Sequence, residues 1–487
     1  MPCAARRRRR ETRNEQHGPL AGEAHDRYPR PTLVTDEASG ARPDHESLGR
    51  AARARMPRTS LAHWQPAADR ADPLALIEGE EATRDPALIP LRHARMAVSS
   101  FTFFRGTARI MARDLASQPH TALTTQLCGD AHLSNFGLFA GEDRRVVFDV
   151  NDLDATFPGS FEWDVKRLTT SFVLAGLDAG LAPEIGQTAA LEGARTYRTT
   201  MSDYASMPIM RVWYDRMESS HVEAIVASTT GRSGRRAVRF GVAKAQKRDT
   251  WSVIRKLTEL EGGHRRFIDQ PPLLTRIPLE GSPAEFVSET FDGYRASLNA
   301  SRRSLLDRFS IVDFAHKVVG VGSVGLYSWV VLLEGSGPDD LLVLQMKQAQ
   351  RSVFDLRPKE PTEHQGQRVV EGQRLMQASS DVFLGWTTGP GGAQYYGRQL
   401  RDMKWSPDPT AFQPRGLIAY ARLTATALAR AHARSGDPGS IAAYLGLSDR
   451  ADRALADFAV AYADQTARDY VEFQAALRSG RLVPADL

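Results

Sequence analysis

The stretch CGDAHLSNFGLFAGEDRRVVFDVNDLD, residues 128–154, decides how this chain is read. It sets an Asp, a His, an Asn and several further Asp within one loop–strand–loop unit. Asp130 and Asn135 stand five apart in a glycine-bounded loop, and Asp149 ends the apolar run Val146, Val147, Phe148. Carboxylates placed where a strand ends can hold Mg²⁺, a hard cation that takes oxygen ligands and completes its shell with substrate phosphates. Asp and Asn also fill loops for a plainer reason, because their side chains bond their own backbone. One such residue alone would be read that way; this density and order favour a site.

CGDAHLSNFG resembles the catalytic loop of the aminoglycoside and choline kinase branch of the protein-kinase-like superfamily, whose pattern is H-G-D-x-H-x-x-N. VVFDV resembles the strand that ends in that superfamily's metal-binding Asp. GSFEWDVKRL (159–168) resembles its G-D-P-x-x-D-L segment, with Asp164 at the Asp. Over roughly residues 60–475 the chain is similar to a bacterial family of unknown function, DUF2252. That likeness runs through SSFTFFRG (99–106), CGDAHLSNFG, FDVNDLDATFPGSFEWDVKRL, RVVEGQRLMQ (368–377), RQLRDMK (398–404) and ARAHARSGD (429–437). The kinase resemblance is remoter and implies ATP, or another nucleotide, with Mg²⁺. It implies that Asp130 accepts or orients the proton of an acceptor hydroxyl. Asn135 and Asp149 would hold Mg²⁺, Asp152 a second ion, with Asp154 in reserve. Asp164 would brace the loop, and His132 would pack rather than act as a base. Cys128 stands where the superfamily's His precedes Gly-Asp. Arg105 could face the site, although an ion pair is the plainer expectation.

Composition bounds the rest. At 487 residues the chain can bury a large core and divide into two lobes. No run of 18 apolar residues occurs, so no membrane span is expected. Two cysteines, Cys3 and Cys128, build neither a disulfide framework nor a Cys-based zinc site, and a reducing cytoplasm fits. Residues 1–60 hold 13 Arg, no Lys and 8 acids, which is the chain's whole net charge of +5. This segment lacks apolar periodicity and reads as a disordered basic tail. The run Arg6–Arg10 could touch phosphates without reading sequence. Tyr28 and Trp64 are isolated, so there are no interleaved aromatics for stacking bases, and no specific nucleic acid is expected.

After the tail, residues 61–310 read as a helical lobe carrying the 128–154 unit. RHARMAVSSFTFFRGTARIMARDLASQP (92–119) is helical, and Asp164–Gly180 is an amphipathic helix. A Gly/Arg-rich break falls at Thr229–Arg236. The texture changes at 311. FAHKVVGVGSVGLYSWVVLLEG, a GSGPDD turn and LLVLQMKQA read as strand, glycine-rich loop, strand, turn and strand. A helix over HQGQRVVEGQRLMQASS and two strands around a PGG turn complete a small β-rich lobe, 311–410. Residues 411–487 return to helix.

Gly320, Gly322 and Gly325, with Ser323 among them, fit G-x-G-x-x-G. A dinucleotide fold needs a helix after that loop, whereas SWVVLLEG reads as a strand. Strand–loop–strand is the kinase arrangement, in which backbone N–H groups cover nucleotide phosphates. Lys347 falls on the third strand, where a kinase-like lobe carries its phosphate-pairing lysine. Glu371 is its expected partner, with Glu363 behind it. The order, however, is rotated: Asp130 lies about 190 residues before Gly320. The expected architecture is therefore an α+β, two-lobed, protein-kinase-like fold, circularly permuted, with residues 411–487 completing the helical lobe. Permutation costs little where termini lie close at a surface. Two separate domains that mimic kinase parts are the competing architecture.

The expected function is ATP- and Mg²⁺-dependent phosphotransfer to an unknown hydroxyl acceptor. A metal-dependent phosphoesterase is the alternative, but its G-N-H and His-x-His signals are absent. A non-catalytic nucleotide-binding regulatory module is a third class.

Overall fold

In the computed structural model the described residues are 44–485, except Asp249, 278–281, 319–321, Ser323, 359–362 and 401–402. The apolar text after residue 310 forms an antiparallel sheet. Ser310–Lys317 pairs with Ser328–Glu334, which pairs with Leu341–Gln348. Gln394–Gln399 adds beyond Leu341–Gln348, and Gly385–Thr388 closes that edge. Leu341–Gln348 is central and covered on both faces along nearly its whole length, so Leu341–Leu344 run apolar without alternation, and Gln345 and Lys347 are buried beyond them. The Gln365–Met376 helix packs on the Gly385–Thr388 and Gln394–Gln399 strands. His364 caps it by accepting from the Gln367 N–H.

A sixth strand was not expected. Leu274–Arg276 pairs with Ser310–Lys317 at the other edge, so the sheet begins before residue 311. Three residues are too few to show the two-residue period by which strands are recognised.

The Glu162–Asp178 helix is the centre of the helical part. Its pattern suggested one apolar face, yet 14 of its 17 residues are buried, because helices surround it. Pro183–Ala205, Pro414–Ser435 and Arg450–Ser479 all pack on it. Its buried hydroxyls are satisfied within the helix: Thr169 and Thr170 donate to the Val165 and Lys166 carbonyls, and Ser171 to that of Leu168. The long helix expected over 92–119 is three short ones, Ile89–Met96, Ser100–Gly106 and Ala108–Ala116. A capping box between Ser99 and Thr102 restarts the chain at Ser100, where apolar spacing alone ran straight through. The break expected at Thr229–Arg236 is made at Gly231, with φ of 63°, between Ser219–Thr230 and Arg232–Gln246. Among the described residues no helix is long and apolar enough to cross a membrane.

The expectation of a disordered tail over 1–60 does not hold for its last residues. Residues 1–43 lie outside the described residues, but His45–Arg55 is a helix packed against Pro438–Leu445. Arg53 of this helix and Arg58 just beyond it answer carbonyls at the end of that partner helix: Arg53 Nε donates to Tyr444 O at 3.2 Å and Arg58 Nη1 to Leu445 O at 2.8 Å. Basic side chains favour helix C-termini, so charge that read as solvated tail is structural here. Gly49 sets the approach, since a Cβ there would lie 2.5 Å from Ala443 Cβ and 2.7 Å from Ser440 O. Gly49→Val should therefore cost about 1–3 kcal/mol in urea unfolding, the usual cost of overpacking. A change near zero would mean that this segment is undocked in solution.

Candidate functional site

The strand Thr124–Leu127 delivers the chain into the loop at 128–135. Gly129 has φ of +83°, and a Cβ there would lie 2.1 Å from the Ala155 carbonyl oxygen, so only glycine fits. The loop hangs on Asp164, at the start of the Glu162–Asp178 helix. Its buried carboxylate accepts from Cys128 N–H at 2.6 Å and Gly129 N–H at 3.1 Å. A third bond comes from His432 Nε2 at 3.2 Å, while Tyr197 OH lies 2.8 Å from His432 Nδ1. With Nε2–H donating to a carboxylate, Nδ1 accepts from the phenol. A histidine thus meets Asp164 although position 128 is Cys. Asn135 Nδ2 donates to Asp130 O at 2.8 Å, which leaves its amide oxygen as a lone acceptor beside the cleft.

Asp130 itself is held by Arg167, whose Nε and Nη2 lie 2.6 and 2.5 Å from Oδ1. Arg167 is buried, lies over the Phe104 ring at 4.1 Å and donates to Phe104 O. His132 Nε2 stands 3.6 Å from Asp130 Oδ2, too far for a hydrogen bond. Burial, and then the Arg105 and Arg167 charges, push the His132 pKa well below its ordinary value, so its ring is neutral.

The hairpin Phe136–Ala140/Val146–Val150 follows, and it corrects the expectation for Asp149. Asp149 is turned into the interior rather than toward the cleft. Oδ1 is bonded by Arg430 Nη2 and the Val150 N–H, and Oδ2 by the Ala378 N–H at 3.0 Å. Asp149 and Arg430 are 1% and 0% exposed, which leaves no open coordination position. The residues past the strand end, Asp152 and Asp154, face the cleft instead.

Lys347, on the Leu341–Gln348 strand, forms an ion pair with Asp154 across 193 residues of sequence. Tyr396 OH donates to the other oxygen of the same carboxylate. Burial would raise the Asp154 pKa, but Lys347 and Tyr396 outweigh it and hold it at about 2. Burial would likewise lower the Lys347 pKa, and Asp154 with Tyr396 keeps it above its ordinary value. For Asp152, burial followed by the Asp154 charge raises the pKa and outweighs the opposing charges of Lys347, Lys404 and Arg398.

Glu371 does not meet Lys347. It is exposed on the Gln365–Met376 helix and accepts from Gln367 Nε2 at 2.6 Å, while Glu363 pairs with Arg357. The buried Gln373 shares Lys347's cavity instead. On the same helix the buried Arg368, which sequence reasoning missed, donates to the carbonyls of Thr156, Asp154 and Gln350. The signal was present: an arginine flanked by apolar helical residues needs several acceptors if it is to be buried. Arg167 and Arg430 could have been found in the same way.

Of the glycine-rich loop, Gly320 and Ser323 lie outside the described residues. Gly322 lines the cleft, and Gly325 has φ of +86°. The loop's far end touches the opposite wall: Arg84 Nη1 donates to Val324 O at 2.6 Å, and the Asp85 N–H to Gly325 O at 2.8 Å. Two adjoining cavities result. One of 760 Å³ is lined by Asp130, Asn135, Asp152, Asp154, Gly322 and Arg105; the other, of 670 Å³, by Lys347, Gln373, Arg398 and Leu400. Asp152 lines both. Among the described residues no three His, Cys, Asp or Glu side chains converge as a metal cage.

Two outcomes test these contacts. Asp149→Asn or Arg430→Met leaves one buried charge unpaired and should cost about 3–5 kcal/mol in urea unfolding; a much smaller loss would mean an open, ligand-facing Asp149. Asp154 ionises below its unfolded value, so its contribution is present above about pH 4 and is lost as pH falls toward about 2. Asp154→Asn should therefore flatten the fall in stability between pH 5 and pH 2, and an unchanged acid limb would show that the pair does not form.

No curated protein and no solved structure matches the chain. A family model described as "Uncharacterized protein conserved in bacteria (DUF2252)" matches residues 84–476. That span begins at Arg84, on the wall that touches the glycine-rich loop, and takes in the Asp130 loop, Lys347, Arg368 and His432. The chain belongs to the DUF2252 family.

Proposed function

We propose that this protein is an ATP- and Mg²⁺-dependent phosphotransferase acting on a hydroxyl acceptor, with a circularly permuted protein-kinase-like fold. The observation that carries this reading is the Lys347–Asp154 pair. It joins the third strand of the Ser310–Gln348 part of the sheet to the loop after VVFDV, as one nucleotide cleft requires. The sheet with the Gln365–Met376 helix corresponds to the small lobe: strand, glycine-rich loop, strand, lysine strand, helix and two strands. Permutation is supported at the joint itself. The C-terminal end of Pro414–Ser435 lies against Thr124–Leu127, the strand that enters the Asp130 loop. Thr125 Oγ1 donates to His432 O at 3.2 Å, and the Gln126 N–H to Ser435 Oγ at 3.3 Å. A kinase-like chain would run directly from such a helix into its catalytic loop; here the two ends are neighbours although 309 residues separate Gln126 and Ser435.

The residues suit Mg²⁺. Asp152 is a desolvated carboxylate beside a second one, a position that a cation relieves. Asn135 offers an amide oxygen, and nucleotide phosphates would supply further ligands, so no all-protein cage is needed. Asp152 and Asn135, with Asp154 beside them, would hold the ion, which neutralises charge on the transferring phosphoryl group. Lys347 and the glycine-rich loop would hold the nucleotide phosphates. Asp130, kept rigid by Arg167 and Asn135, would orient the acceptor hydroxyl. The neutral His132 supports the loop rather than carrying the proton.

ATP should raise the melting temperature only with Mg²⁺, by an amount equivalent to about 2.7 kcal/mol at a hundredfold excess over Kd. Lys347→Ala should remove most of that shift, whereas Asp130→Asn should keep it and abolish transfer. Absence of stabilisation by any nucleotide at millimolar concentration would end this reading.

A further inference from the structure

One wall of the 760 Å³ cavity carries more positive charge than its own acids answer. Arg84, Arg105, Arg109 and Arg113 line it, and among the described residues none has a carboxylate within ion-pair distance. The cavity's other acids are engaged elsewhere: Glu80 with Arg92, Asp130 with Arg167, Asp154 with Lys347, Asp355 and Glu363 with Arg357. Asp152 alone remains, and it is the residue assigned above to a cation.

Arg105 is the sharpest case. It is mostly buried and rests over the Phe101 ring at 5.8 Å, and its Nε is buried without an acceptor, as is that of Arg84. It lines the same cavity as Asp130 and Asp152, whose charges act on it, so the guanidinium shares the cavity with the hydroxyl-orienting group. A desolvated guanidinium without a counter-ion is unfavourable, and its planar fork suits phosphate or carboxylate. Lys347, on the sheet side, answers the nucleotide phosphates, so the arginine wall answers something else.

We propose that the acceptor is itself an anion, an alcohol bearing a phosphate or carboxylate group, gripped by Arg105 and Arg109 while its hydroxyl meets Asp130. This rests on the phosphotransferase reading, and the experiment separates the two. Full-length protein saturated with Mg²⁺ and a non-hydrolysable ATP analogue is titrated with inorganic phosphate and followed by thermal shift. Phosphate should add a further saturable stabilisation, and Arg109→Ala and Arg105→Met should each weaken its apparent Kd at least tenfold. Neither should change the affinity for the nucleotide analogue more than about twofold. In turnover assays glycerol 3-phosphate should be preferred over glycerol. Arg109 is only partly buried, so its variant reports binding even where Arg105→Met lowers stability. No phosphate effect, or one unchanged in both variants, overturns the proposal. So does an equal loss of nucleotide affinity, because the arginines would then serve the nucleotide. If the analogue does not bind at all, the phosphotransferase reading falls and the acceptor assignment with it, and arginine-dependent phosphate binding would then mark an anion site alone.

Discussion

The buried ion pair between Asp149 and Arg430 is the constraint from which the geometry of this protein follows. Two opposite charges, both shut away from water, are tolerable only in close contact and with their other hydrogen-bonding positions filled. The partners are 281 residues apart, one in the hairpin after the Asp130 loop and one near the end of the Pro414–Ser435 helix. Their union fixes that helix against the hairpin. The same helix then brings His432 to Asp164, and Asp164 holds the backbone of Cys128 and Gly129. The Ala-rich text of this helix follows from that task. Ala421, Ala425, Ala427, Ala429 and Ala431 are all buried, and small side chains let the helix sit close while Arg430 and His432 reach out in different directions.

A second set of staples fixes the sheet over the loop. Arg368 gathers the carbonyls of Asp154 and Thr156 from the loop after the hairpin, and that of Gln350 from just beyond the lysine strand. Ser352 Oγ adds a bond to Ala155 O. One guanidinium thereby sets the distance between Lys347 and the 152–156 loop. The Lys347–Asp154 pair is a consequence of that placement as much as a cause. Glu371 stays on the exposed face of its helix, bonded by Gln367, while Lys347 is paired from the 152–156 loop.

Much of the candidate site was legible because its signals are local. Asp130, Asn135, Asp152 and Asp154 lie within 25 residues, and the loop spacing that suggested them also brings them to one cavity. Lys347 was legible as a lysine in an apolar strand, a residue that needs a partner. The partner was not, because it comes from a distant loop, whereas Glu371 lay on the neighbouring helix. A helix turns about 100° per residue, so a shift of two positions separates an exposed Glu371 from a buried Gln373. Asp149 failed for a related reason: one carboxylate at a strand end reads like another until the strand's two faces are assigned. The His45–Arg55 helix and the edge strand Leu274–Arg276 were hidden by composition in one case and brevity in the other.

The charge pattern of the cleft ties these threads to chemistry. Phosphoryl transfer asks a protein for position and for neutralisation of charge, and little else. In the proposed reaction, position would be supplied by buried groups bonded across the fold: Asp164, Arg368, Arg167 and the Asp149–Arg430 pair. Neutralisation would fall to Asp152, to Asp154 with Lys347, and to the arginines of the facing wall that form no ion pair among the described residues. Such a division is what distinguishes a frame from a working surface, since a satisfied buried charge resists change and an unsatisfied one invites a ligand. The frame lies in the interior, and the unsatisfied charges line the cavities around Asp152. An anion entering beside Arg105 and a cation entering beside Asp152 would each remove a desolvation cost that the protein alone leaves standing, and each would make the other's site more favourable.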